Sequence, residues 1–247
     1  MKSKTAFTRK DIVVVLVCVV FLLINLGAIG SGGRRRAKRV VCLTNLRQLT
    51  LAWIQYADDN DGKLVNGDTG EYDTIHPDET PWVLRDWGTD DMEVKRNAIL
   101  NGALFPYCKD IKLYKCPMGV REETRSYSVV DAMNCKGWSS MGGVMIKKRA
   151  EIRRPSERFV FLDNGGTAPM GGWTCYVNED RWWDPPPIRH DDGTTFSFAD
   201  GHSEYWKWED QRTVEWGRQM RAFSELQPGN PDIRRCQVAA WGSEAGN

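Results

Sequence analysis

The sequence predicts an α+β fold, with a long N-terminal helical region followed by a small antiparallel β-sheet set among long loops. Three observations predict it. An uncharged apolar run extends from Ile12 to Ile29, and a 4-3-4-3 apolar stripe runs from Cys42 to Tyr56. Two aromatic, strand-like runs meet at Asp200-Gly201.

Residues 7–30 read FTRKDIVVVLVCVVFLLINLGAIG and are apolar from Ile12 to Ile29 except for Asn25. At about 1.5 Å per residue this run spans roughly 27 Å, close to the hydrocarbon core of a bilayer. The β-branched Val13, Val14, Val15, Val17, Val19 and Val20 are indifferent helix formers in water. In lipid, a single span must satisfy its own backbone and is therefore helical. The run predicts a transmembrane helix over 7–30. A core helix would rarely be apolar all round. A cleaved secretory signal is the other reading, with Lys2, Lys4, Arg9 and Lys10 as its basic start and Gly27-Ala28-Ile29-Gly30 as a weak cleavage motif. Arg34, Arg35, Arg36, Lys38 and Arg39 make the far flank basic too, so charge alone does not orient the span.

After Ser31-Gly32-Gly33, where a helix would loosen, comes an amphipathic helix over 31–62. Cys42, Leu46, Leu49, Trp53 and Tyr56 share one face, with Arg47, Gln48 and Gln55 off the stripe. Asp58-Asp59-Asn60-Asp61-Gly62 predicts the helix end, because short polar side chains bond local backbone and Gly takes positive φ. An EF-hand would need ligands at Ala57 and a Glu at Asp68, so the acidic cluster reads as a turn.

Residues 63–226 form the body. Lys63 to Thr89 reads as loop with short strand pieces, and Met92 to Lys109 as one short helix ended by Gly102 and Pro106. Ser126 to Val130 is β-prone, and Ile146 to Arg154 reads as a helical connection. Arg158 to Asp163 is the clearest strand. The three prolines 185–187 exclude a central strand. Thr195 to Ala199 and His202 to Trp208 form a hairpin, with Phe196 and Phe198 on one face and Thr195, Ser197 and Ala199 on the other. The chain reads as partly helical from Glu209 to Leu226, and 227–247 as a loose tail.

The 247 residues carry a net charge of +1, which gives no nucleic-acid signature. None of the seven cysteines forms a CxxC pair, which excludes a zinc ribbon or thioredoxin-type motif. An exported body could pair four of Cys108, Cys116, Cys135, Cys175 and Cys236, with Cys108 and Cys116 closing a local loop. Five reduced, half-buried thiols are the other reading. The eleven tryptophans read as core and loop packing; exposed ones would suit a sugar.

His190 is the candidate functional histidine. It could act as a general base oriented by Asp163 or Asp200, but no nucleophile sits on a sharp glycine elbow. The histidines are His76, His190 and His202, so a zinc site would have to add carboxylates. The preferred reading gives His190 a bond to loop backbone at the start of the hairpin and makes Asp200-Gly201 its turn. A calcium loop would draw on Asp163, Asp191, Asp192 and Asp200.

These residues also carry a resemblance. The N-terminus is similar to type IV pilins and type II secretion pseudopilins, whose leader ends just before Phe-Thr and whose mature fifth residue is acidic. Ala6, Phe7 and Asp11 occupy those positions. Ala6 stands where the family has Gly, and Arg9 and Lys10 stand where it has apolar residues. The segment CLTNLRQLTLAWIQYADDNDGKLV resembles the one that follows the anchor in a bacterial subgroup, through Cys42, Asn45, Leu46, Gln48, Tyr56, Ala57, Asp59, Asn60 and Gly62. Cys116-Pro117 and Ser126-Tyr127 match as well. His190, nine residues and Asp200-Gly201 match the C-terminal domain of prepilin-like proteins.

The resemblance covers most of the chain. It implies a leader over 1–6 cut by a prepilin peptidase, a single inner-membrane span and a cytoplasmic N-terminus with the body in the periplasm. It also implies an amphipathic half-helix packed on the sheet and other pilin-like subunits as partners; it implies a class and not a reaction, and the absence of a placed nucleophile makes the expected role non-enzymatic. Calcium is the cofactor it allows, since some pseudopilins bind it near the C-terminus. The alternative is a membrane-tethered carbohydrate-binding domain that does not polymerise.

Overall fold

The computed structural model describes residues 8–27, 30–70, 75–119, 123–139, 142–165 and 171–242, with 23–27 and 31 by backbone alone. The chain divides into two compact units, 1–38 and 39–247. Ala6 and Phe7, the expected processing site, lie outside the described residues.

The first unit holds helix α1 (Arg9–Gly27) and the beginning of α2 (Ser31–Asp59). Thr8 and Asp11 cap α1 reciprocally. The Thr8 N–H and hydroxyl each donate to Asp11 Oδ2 at 2.8 Å, and the Asp11 N–H donates to Thr8 Oγ1 at 3.3 Å. Asp11 therefore finds its partner in Thr8 and not in Arg9 or Lys10. Every side chain from Ile12 to Leu22 is exposed.

Among the described residues no helix is long and apolar enough to cross a membrane. This overturns the transmembrane and signal-anchor readings of 7–30 and the single-pass inner-membrane localisation. The described apolar side chains of α1, Ile12 to Leu22, follow Arg9, Lys10 and Asp11 and cover about 16 Å, roughly half of a bilayer's core. The long continuous helix is overturned as well. It is two helices, and α2 opens with Gly32 and Gly33 inside its first turn and the basic residues Arg34, Arg35 and Arg36 behind them.

The second unit is built on the rest of α2. Cys42, Leu46, Leu49, Trp53 and Ala57 have 0% exposure, and Tyr56 packs beside them. The helix ends as the acidic turn predicts. The Gly62 N–H closes back on the Ala57 carbonyl at 2.8 Å, with Asp61 and Gly62 at φ of 54° and 75°.

Five strands follow: β1 (Tyr127–Val130), β2 (Phe159–Asp163), β3 (Gly172–Trp173), β4 (Gly193–Phe198) and β5 (Ser203–Lys207). They lie in the order β3-β1-β2-β4-β5. The sheet is mixed and not purely antiparallel, because β3 runs parallel to β1. The β4–β5 hairpin closes through Gly201, at φ 96°, as expected. Two short helices, α3 (Met92–Leu100) and α4 (Phe105–Cys108), replace the single one expected over 92–109. Asp91 caps α3, and Pro106 sits in the first turn of α4, where its missing N–H costs nothing. Residues 146–154 give only a short 3₁₀ turn at Arg149–Glu151.

The sheet has a core on each face. On one, α2 packs with Tyr127, Val129, Val160 and Phe161. On the other, Phe159, Leu162, Phe196, Phe198, Trp206 and Trp208 meet α5 (Gln211–Gln219) and α6 (Pro231–Trp241). The expectation of loose structure beyond Pro228 is therefore corrected. Asn230 caps α6, whose Ile233, Cys236, Ala239 and Ala240 are buried.

A β-bulge in β2 positions the site. Phe159 pairs with Phe198 and Leu162 with Phe196, so β2 spends three residues where β4 spends two. Val160 and Phe161 both belong to the α2 face, and the alternation is reset so that Asp163 shares that face. The Phe161 N–H at the bulge donates to Ser197 Oγ at 3.2 Å, and Thr50 of α2 donates its hydroxyl to the same oxygen at 2.6 Å. Removing Ser197 Oγ leaves the Phe161 N–H buried and unpaired, while the Thr50 hydroxyl keeps the Leu46 carbonyl at 2.9 Å. Ser197→Ala is expected to lower stability by about 1–3 kcal/mol, read from the urea midpoint at unchanged slope.

Candidate functional site

Four side chains from four separate segments converge where α2 crosses the end of β2: Cys42, Cys116, Asp163 and His190. They can each offer one ligand atom, and these atoms lie within 4.8 Å of one another. Cys42, Cys116 and Asp163 have 0% exposure and His190 has 2%.

Each arrives for a local reason. Cys42 lies on the buried stripe of α2. Cys116 begins a turn with Pro117 at its second position, closed by the Gly119 N–H on the Cys116 carbonyl at 2.8 Å. That turn brings the Met118 N–H to Cys116 Sγ at 3.3 Å. Asp163 ends β2 just after the bulge. His190 is fixed by the Arg189 and His190 N–H groups, which both donate to the Gly193 carbonyl at 3.0 Å across a turn with Asp191 at φ 57°.

Asp163 divides its oxygens between two tasks. Oδ1 accepts from Arg189 Nε at 3.3 Å and from the Gly165 N–H at 3.4 Å. Oδ2 turns inward, 3.4 Å from His190 Nε2 and 3.5 Å from Cys42 Sγ. Cys116 Sγ lies 3.4 Å from the same Nε2. Around them, the Tyr127 hydroxyl donates to Cys42 Sγ at 3.2 Å, and Thr195 Oγ1 lies 3.1 Å from it. His190 Nδ1 is buried with no hydrogen-bond partner among the described residues.

The environment separates the two thiols. Burial pushes Cys42 well up. The hydrogen bond from Cys42, joined by one from His190, pulls Cys116 down against its own burial. Burial alone would lower His190, but the neighbouring Asp163 carboxylate and Cys116 thiol outweigh it, and the ring is pushed up to about 9. Chemically the cluster can share protons internally or hold a small, four-coordinate cation.

The expected arrangements differ from this one. The His190 ring faces the cluster and not loop backbone, although its main chain does form the turn. Asp200 and Gly201 serve the hairpin turn: Asp200 Oδ1 accepts from the His202 N–H at 3.1 Å and pairs with His202 Nδ1 at 2.5 Å. The calcium candidates are not brought together. Asp191 faces Arg39 at 3.9 Å, Asp192 pairs with Arg218 at 2.7 Å, and Asp163 belongs to the cluster. Sequence reading missed Cys42 and Cys116 as site residues, because they share no short spacing with each other or with a histidine. Both stood, however, among the residues that carried the family resemblance. Comparison with known proteins gives no match to a family model, to a curated protein or to a solved structure.

A second buried carboxylate sits after β1. Asp131 is 2% exposed; its Oδ2 accepts from Trp138 Nε1, and its Oδ1 has no hydrogen-bond partner among the described residues. Burial lifts it to about 6, against the attraction of Lys136. Between its ordinary value and about 6 the folded chain keeps a proton that the unfolded chain releases. Stability should therefore be full in acid and decline, by up to about 3 kcal/mol, as pH rises through that window. Asp131→Asn should reduce this decline in denaturation curves taken from pH 4 to pH 7, leaving the part that comes from Asp184, which burial lifts to about 8.

Proposed function

We propose that the chain is a non-enzymatic, pilin-like assembly subunit whose α1 packs against the α1 helices of other copies. One observation carries the reading: α1 is apolar on every face, and every described face is exposed. Ile12, Val13, Val14, Val15, Leu16, Val17, Val19, Val20, Phe21 and Leu22 are 44–66% exposed. A contiguous surface of this kind asks for a partner, and an all-round apolar helix is covered by several neighbours more readily than by one groove. The resemblance of the segments around Cys42, Cys116 and His190 to prepilin-like proteins supports the same reading. So does the burial of His190, the best candidate base, which is 2% exposed. Asp11 is committed to capping α1, and its part in assembly is to keep that helix formed up to its first turn.

The alternative of a sugar-binding tether has weaker support. None of the eleven tryptophans is exposed, and Trp53, Trp82, Trp173, Trp182, Trp206 and Trp208 are buried in the two cores.

The exposed Cys18 in α1 supplies the test. In a Cys18→Ser background, single cysteines at positions 13–20 are oxidised and the covalent dimer is quantified. Packed helices should give yields that rise and fall with a period of about 3.6 residues, and Asp11→Ala should lower them all. Uniform yields, or none, would contradict assembly through α1.

A further inference from the structure

We propose that Cys42, Cys116, Asp163 and His190 bind one zinc ion, in a closed structural centre that fastens α2 to the sheet. The argument is independent of the assembly reading.

The spacing fits an ion better than direct contact. A direct N–H···O bond between His190 and Asp163 would place the heavy atoms about 2.7–3.2 Å apart, yet Nε2 and Oδ2 stand at 3.4 Å in a fully buried setting. A tetrahedral zinc, about 2.3 Å from sulfur and about 2.0–2.2 Å from nitrogen and oxygen, sets its ligand atoms about 3.4–3.8 Å apart. The distances from Cys116 Sγ to His190 Nε2, from His190 Nε2 to Asp163 Oδ2, and from Asp163 Oδ2 to Cys42 Sγ are 3.4, 3.4 and 3.5 Å. Three of the six edges are thus near tetrahedral length, and the other three lie within 4.8 Å.

The donor set selects the metal. Two sulfurs, an imidazole and a single carboxylate oxygen suit zinc, whereas calcium takes six to eight oxygens. The charge also closes. Two thiolates and a carboxylate carry three negative charges, which the ion and the Arg189 guanidinium on Asp163 Oδ1 together balance. The surrounding groups are placed as outer-shell partners: the Tyr127 hydroxyl on Cys42, the Met118 N–H on Cys116, and Arg189 on the free oxygen of Asp163. With Nε2 on the metal, His190 carries its remaining proton on Nδ1. Four protein ligands and near-zero exposure leave no open position, so the ion's work is structural.

The test begins with the full chain purified without chelator, its zinc measured by native mass spectrometry. About one ion per chain is expected. The stripped protein is then titrated with Co²⁺, which should bind in a one-to-one ratio with the thiolate charge-transfer absorption of a tetrahedral site. Cys116→Ser should weaken binding by at least about tenfold. Cys108→Ser should leave it unchanged, since that thiol lies against the Tyr114 hydroxyl at 3.2 Å and outside the cluster. A Cys42–Cys116 disulfide in the purified chain, cobalt bound without thiolate absorption, or equal loss in Cys108→Ser would overturn the proposal. Should Cys116→Ser fail to fold, the wild-type stoichiometry and spectrum decide the matter alone.

Discussion

Asp163 is a carboxylate with no exposed surface at the end of a central strand, and burying such a group is costly unless its charge is met. Much of the body is arranged around meeting it. Arg189 and the Gly165 N–H hold one oxygen, and the other faces Cys42, Cys116 and His190. These partners come from α2, the Cys-Pro turn and the loop before β4, so they join parts of the chain that no local contact would bring together. Removing Asp163 would leave Arg189 buried beside two thiols and an imidazole, and the convergence would lose its centre.

The bulge in β2 makes this geometry available. Strict alternation from Phe159 would have pointed Asp163 into the aromatic layer, among Phe196, Trp206 and the helices α5 and α6. One extra residue turns it toward α2. The two faces of β4 then divide the labour. Phe196 stacks on Phe159 at 4.1 Å on the aromatic side. Thr195 and Ser197 are short enough to let α2 approach, and they supply hydroxyls to Cys42, to Thr50 and to the bulge itself.

Much of this layering was legible in the sequence. The Cys42-to-Tyr56 stripe, the acidic helix end, the β2 strand and the two-sided hairpin all express short-range periodicity or turn chemistry. What was not legible depended on distant neighbours. The apolar run around Val13 to Leu22 has the composition of a span, but its described helical stretch opens on charge and is too short. Pro106 looked like a stop and proved to be a start, because at the first turn of a helix proline gives up nothing. α6 lay in a stretch that read as a loose tail; its Ile233, Cys236, Ala239 and Ala240 are buried because the aromatic face of the sheet needs a cover. The cluster was half visible. His190 and Asp163 were singled out by type, while Cys42 read as one more apolar position and Cys116 as half of a local loop.

The two proposals divide between the units, with a metal centre in the body and an apolar helix available to partners. The centre is the more decisive claim, and X-ray absorption at the zinc edge addresses it directly. The predicted spectrum has two sulfur scatterers at about 2.3 Å and two nitrogen or oxygen scatterers at about 2.0–2.2 Å, and it loses one sulfur in Cys42→Ser. A shell of oxygen and nitrogen alone would contradict it, because an ion bound that way lies somewhere other than between Cys42 and Cys116.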